Sequence, residues 1–80
     1  MENYIYVFGV YEFYEGSTIL MVSYNYKKLE RYFNQYKIGN GQGLYIKRYE
    51  CDKLLTYKDK EVIKRLEIDY DGKVKELNIP

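Results

Sequence analysis

The sequence predicts an α+β domain in the order β-β-α-β-β-β, with one amphipathic helix laid on an antiparallel sheet of about five strands. Three observations lead there. Tyr4–Tyr14 and Ser17–Tyr24 are rich in β-branched and aromatic residues and are split by Glu15-Gly16, which is a β-hairpin pattern. The apolar period then lengthens to that of a helix over Asn25–Ile38. Asp71-Gly72, a strong tight-turn dipeptide, lies between two further apolar runs. At 80 residues and 9.7 kDa, residues 1–80 read as one domain.

A two-residue turn at Glu15-Gly16 pairs Tyr14 with Ser17, Tyr11 with Leu20 and Gly9 with Val22. Gly9, inside a strand, marks a bulge or a close backbone approach. Both faces of this hairpin are largely apolar, so one packs internally and the other is covered later or offered to a partner. In the helix, Tyr26, Leu29, Phe33 and Tyr36 share a face, with Tyr32 beside it. Asn25 is the expected N-cap and Gly39 the expected C′ residue. Lys27, Lys28, Arg31 and Lys37 fall mostly on the other face, with Lys37 in the last turn, where it complements the helix dipole.

Gly39-Asn40-Gly41-Gln42-Gly43 is a loop. Its glycines follow a helix and open a strand, the reverse of a phosphate cradle. Leu44–Cys51 is the third strand, with Tyr45, Lys47, Tyr49 and Cys51 on one face and Leu44, Ile46, Arg48 and Glu50 on the other. Leu54–Tyr57 is a short apolar stretch. Residues 61–70 fit a helix capped by Asp59, or a strand with Val62, Leu66, Ile68 and Tyr70 on one side. The Asp71-Gly72 turn favours a hairpin of 62–70 with 73–79.

The chain has no histidine and one cysteine, Cys51. The commonest general base and metal ligand are therefore missing, and no intramolecular disulfide or Cys/His zinc site can form. No cofactor or metal is expected. Glu12 and Glu15 flank a solvated turn, and Asp69 and Asp71 lie where turn residues belong, so a non-enzymatic protein is expected. No uncharged run approaches the ~20 residues of a bilayer span. Met1-Glu2-Asn3 shows no cationic start of a signal peptide. With the lone thiol, the expected setting is the reducing cytoplasm, away from membranes.

Net charge is +1, so whole-molecule attraction to nucleic acid is weak. The charge is uneven, however. Residues 1–26 carry three acids and no base, whereas residues 27–65 carry eleven bases and five acids. Lys27, Lys28 and Arg31 on the helix, with Lys47 and Arg48 on the third strand, form the candidate basic patch. Twelve tyrosines supply rings with a polar tip. Tyr4, Tyr6, Tyr11 and Tyr14 on the first strand, with Tyr45 and Tyr49 on the third, are the candidate aromatic contacts.

Tyr6-Val7, Val22-Ser23-Tyr24, Leu44-Tyr45-Ile46 and Tyr49-Glu50-Cys51-Asp52 carry a resemblance that spans residues 4–53. The chain resembles a group of short uncharacterised proteins of phages and low-GC bacteria. Their pattern is a Tyr-Val hairpin, a helix, a loop and a strand ending in Tyr-Glu-x-Asp. The resemblance implies a β-β-α-β core and brings no activity, cofactor or site residue with it. The composition, rich in Tyr, Lys and Glu and without alanine, is also similar to that of proteins from small viral or mobile genomes.

The expected function is protein binding, because interface cores favour tyrosine and arginine. The partner is a host protein or a second copy of the chain through a strand edge. The viral likeness extends this to inhibition of a host defence system such as CRISPR–Cas. The alternative is nucleic-acid binding, with tyrosines stacking on bases and the Lys/Arg set meeting phosphates.

Overall fold

The computed structural model describes residues 3–52 and 60–79. Five strands build one antiparallel sheet: β1 (Tyr4–Glu12), β2 (Gly16–Ser23), β3 (Gln42–Glu50), β4 (Lys60–Ile68) and β5 (Val74–Asn78). Their spatial order is β2-β1-β3-β4-β5, which makes β2 and β5 the edges. One helix, α1 (Tyr26–Gln35), connects β2 to β3. It packs on β1, β2 and β3 and so is centred over β1. The class and the order of elements are those the sequence predicts.

The core lies between α1 and one face of the sheet. Phe8, Leu29, Phe33, Leu44, Ile46 and Ile63 form it, and Leu29, Leu44 and Ile46 are fully buried. Burying each such side chain is worth ~1.5–3 kcal/mol. Strand alternation places Phe8 opposite Ile46 and Val10 opposite Leu44 on this face. The alternation expected for Leu44–Glu50 holds.

The other face has no helix over it. Its centre is closed by the protein's own rings. Gly9 lies opposite Tyr45, and Tyr11 lies opposite Gly43. A Cβ at Gly9 would overlap the Tyr45 ring, and one at Gly43 would overlap Tyr11. Both glycines are therefore seats for a ring lying flat on the strand, and Tyr45 is only 5% exposed. Lys47 Nζ sits 4.5 Å above that ring, and Tyr11 stacks on Phe13 at 6.1 Å.

Several expectations are corrected. The first hairpin pairs Tyr11 with Ser17 and Glu12 with Gly16, not Tyr11 with Leu20, and residues 13–15 form the turn. Phe13 leaves the ladder to stack on Tyr11 and meet Tyr70 edge-on at 5.7 Å. A register shift at Phe8/Gly9 then sets Met21 beside Phe8 under the helix. The helix stops at Gln35, with Tyr36 extended at φ −76 and ψ 132, so Gly39 is not its C′ residue and Lys37 lies outside it. Another turn would point Lys37 at the sheet and rotate Ile38 away, whereas the extended chain lets Ile38 pack on the core.

The 62–70 segment is a strand, as favoured. A second register shift, at Ile46/Lys47, sets Val62 opposite Lys47 on the open face and frees Ile63 for the core. Val62 therefore does not share a side with Leu66 and Ile68. The last turn spans Asp69–Lys73 rather than Asp71-Gly72 alone. Asp69 Oδ1 accepts from the amides of Asp71 at 2.9 Å and Lys73 at 2.8 Å, a turn role that accounts for this carboxylate. The Leu54–Tyr57 stretch and Asp59 lie outside the described residues.

Candidate protein-interaction surface

Edge strands expose unpaired amides and carbonyls, and proteins guard them with charge, brevity or a bulge; β2 has a bulge at Leu20, between Ile19 opposite Gly9 and Met21 opposite Phe8. The two edges here differ. β5 has five residues and carries Lys75 and Glu76. β2 has eight residues, Gly-Ser-Thr-Ile-Leu-Met-Val-Ser, with no charge and no proline. Its apolar side chains are open: Ile19 is 60% exposed, Val22 50% and Leu20 39%.

β2 does not stand alone. Between it and α1 runs a groove of about 360 Å³ lined by Phe8, Leu20, Met21, Tyr32, Gln35 and Tyr36. Gln35 is its one amide, and no lining residue is charged. The groove exists because α1 is centred over β1 and leaves the outer side of β2 uncovered. Tyr36 packs edge-on against Phe8 at 6.1 Å, which fixes the groove's inner wall. Tyr24, at the end of β2, adds a further exposed ring. This surface offers backbone pairing along one line and apolar pockets beside it.

The basic candidates do not form one patch. Lys28 and Arg31 are exposed on α1. Lys27 Nζ stands 3.8 Å from Glu30, which also meets Lys64 at 3.6 Å. Arg48 shares the helix-side face, paired with Glu61 and 4.7 Å from the Tyr4 ring. Its hydrogen bond to Glu61 holds the guanidinium more firmly protonated. Lys47 lies on the opposite face of the sheet, over Tyr45.

The aromatic candidates divide as well. Tyr4 and Tyr6 take the helix side, Tyr6 with its ring 5.5 Å from Tyr26. Tyr11, Tyr45 and Tyr49 take the open face. Tyr14 sits at the turn with φ 65, fully outward. Ile19, Leu20, Val22, Tyr32 and Tyr36 were not among the expected contacts. The signal for Ile19, Leu20 and Val22 was the unbroken lack of charge from Gly16 to Tyr26, and for Tyr32 and Tyr36 their place on or beside the apolar face of the helix.

Among the described residues, further titration shifts fall on Tyr11, Tyr26 and Glu15. Tyr11 is held protonated by burial, then by donating its hydroxyl to Glu67. Tyr26 is pushed up to about 12 by burial, then by its bond to Glu30 at 3.1 Å. Glu15 is raised by its neighbour Glu12 at the exposed turn. Among the described residues, no cluster of His, Cys, Asp and Glu could hold a metal ion, and no helix is long and apolar enough to cross a membrane. No family model, curated protein or solved structure matches the chain.

Proposed function

We propose that this is a non-enzymatic protein-recognition domain that takes up a partner strand along β2. The observation that carries the reading is the unequal guarding of the two edges. Both edges expose apolar side chains, Ile19 and Val22 on β2 and Val74 and Leu77 on β5, but β5 is short and charged while β2 is longer and uncharged. Strand addition gives affinity through main-chain hydrogen bonds and specificity through side-chain pockets, and the Leu20–Tyr32–Tyr36 groove offers one such pocket. The lone Cys51 suits a reducing cytoplasm. The viral-type composition supports a host protein, a defence nuclease among them, as the source of the strand, which would make the domain an inhibitor.

A photo-crosslinking side chain at Val22 and, separately, at Val74 tests this in cells. The reading expects discrete protein adducts from position 22 and none from 74. Adducts from 74 alone, or tight oligonucleotide binding lost on Lys47→Ala, would replace it.

A further inference from the structure

We propose that the strand taken up by β2 is, in the isolated protein, β2 of a second copy, paired antiparallel about a two-fold axis near Ile19 and Leu20. This rests on the reading of β2 as the recognition edge and names its occupant.

Charge is the first argument. Glu15 immediately precedes β2 at the turn, and the far end of β2 leads into Lys28, with Lys27 beside it 3.8 Å from Glu30. The strand between them has no charge. Antiparallel pairing of two copies brings the acidic end of each to the basic end of the other, twice by symmetry. Parallel pairing would set acid on acid and base on base, which is penalised. Glu15 is exposed at the turn and so open to a lysine of a second copy.

Geometry is the second. α1 is centred over β1. Joining two sheets through β2 puts three strand spacings between the helices, ~14 Å at ~4.8 Å each. Helices in contact stand ~8–10 Å apart, so the two do not clash, and a channel remains above the paired strands. Tyr32 and Tyr36 of each copy project into that channel, where the two apolar grooves meet.

Area is the third. Tyr24, Tyr32 and Tyr36 are 55%, 44% and 42% exposed. With a full ring at ~150–250 Å², these rings plus Ile19, Leu20 and Val22 offer on the order of 500 Å² a copy. The pair then buries at most about 1,000 Å², the lower limit for a specific contact. Pairing β2 with β5 of another copy would instead leave an open-ended chain, and the charges on β5 oppose it.

Sedimentation velocity of the full chain, from low to high micromolar concentration, reads the outcome, with circular dichroism confirming the fold of each variant. The expected result is a species of twice the 9.7 kDa chain mass. Ile19→Lys sets two ammonium groups near the axis and should weaken the dimer about 100-fold. Glu15→Lys alone should weaken it about fivefold. The combination of Glu15→Lys with Lys27→Glu and Lys28→Glu should recover it. These charge variants are all at exposed positions, so the test survives if Ile19→Lys fails to fold. A monomer at every concentration, a dimer indifferent to the charge set, or growing polymers would overturn the proposal. If the chain is monomeric yet position 22 still crosslinks to another protein, the recognition edge stands and only the self-pairing falls. If neither occurs, both fall.

Discussion

Gly9 and Tyr45 face each other across β1 and β3, and Tyr11 and Gly43 repeat the pair in the opposite sense two residues on. A strand glycine costs ~0.5–1 kcal/mol against alanine, and a ring laid on the bare backbone offsets that loss by its burial. The arrangement lets a two-layer protein leave one sheet face without a helix. Gly9→Ala must push the Tyr45 ring off its seat, at a cost of ~1–3 kcal/mol in urea unfolding. With Tyr45→Ala already present the seat is empty, and the two changes should couple by ~0.5–3 kcal/mol. Strictly additive losses would show that the ring is not what Gly9 serves. Protonation tests the neighbouring ring. Tyr11 and Tyr26 both keep their protons to higher pH when folded, by burial first and then through Glu67 and Glu30. Unfolded tyrosines ionise near ~10. Their contribution is thus complete below about pH 10 and is lost as pH rises from there through the folded values. Urea midpoints taken from about pH 9 to 11 should fall, and fall less steeply in Tyr11→Phe. An equal slope in that variant would count against the assignment. A close approach at Gly9 was legible in the sequence. Its partner was not, because Tyr45 lies 36 positions along the chain and the β1–β3 pairing sets the meeting. Gly43 read only as loop for the same reason.

Helix α1 shows what local sequence decides and where tertiary packing takes over. Its start is local: Asn25 Oδ1 accepts from the Lys28 amide at 3.3 Å, and the Asn25 amide donates to Ser23 Oγ at 3.0 Å. Asn25→Ala should cost about 1 kcal/mol of stability by chemical denaturation. Asn25→Ser, which keeps an acceptor, should recover most of it, and equal losses in both would place the effect elsewhere. The buried stripe of Leu29 and Phe33 was equally legible from its spacing. The end was not, because it depends on Ile38 reaching the core and Lys37 staying out of it. Both strand irregularities belong to the same class. The shift at Phe8/Gly9 brings Met21 to the helix, and the shift at Ile46/Lys47 brings Ile63 to the core. Each is a packing choice between distant elements, which no alternation within one strand encodes. The proposed recognition edge was half legible. The charge-free run was visible, but only the strand order makes β2 an edge and β5 its guarded counterpart.

At the scale of the molecule, the arrangement of charge bears on the alternative reading, nucleic-acid binding. Phosphate affinity needs several cations on one surface, since each neutralised phosphate adds its share of released counterions. Here Lys28 and Arg31 point outward from α1, while Lys47 lies over Tyr45 on the opposite side of the sheet. Lys27, Arg48, Lys64 and Arg65 are each within 4 Å of a carboxylate. Among the candidate rings, Tyr45 is only 5% exposed, with Gly9 beneath it and Lys47 above. A single strand laid on either face would therefore meet few converging cations. Fluorescence anisotropy with labelled single- and double-stranded oligonucleotides should show at most weak binding at physiological salt, with Kd no tighter than ~10⁻⁴ M. Between 50 and 200 mM salt, any residual affinity should change by about tenfold or less, against the ~10³–10⁵ of a protein that makes six to ten phosphate contacts. A steep slope with submicromolar affinity would mean that the cations converge after all, and the β2 edge would then yield to a surface built on Lys47 and its neighbours. A flat response leaves the uncharged β2 edge as the proposed contact. On that proposal the sheet has a direction, closed by charge at β5 and open to another strand at β2.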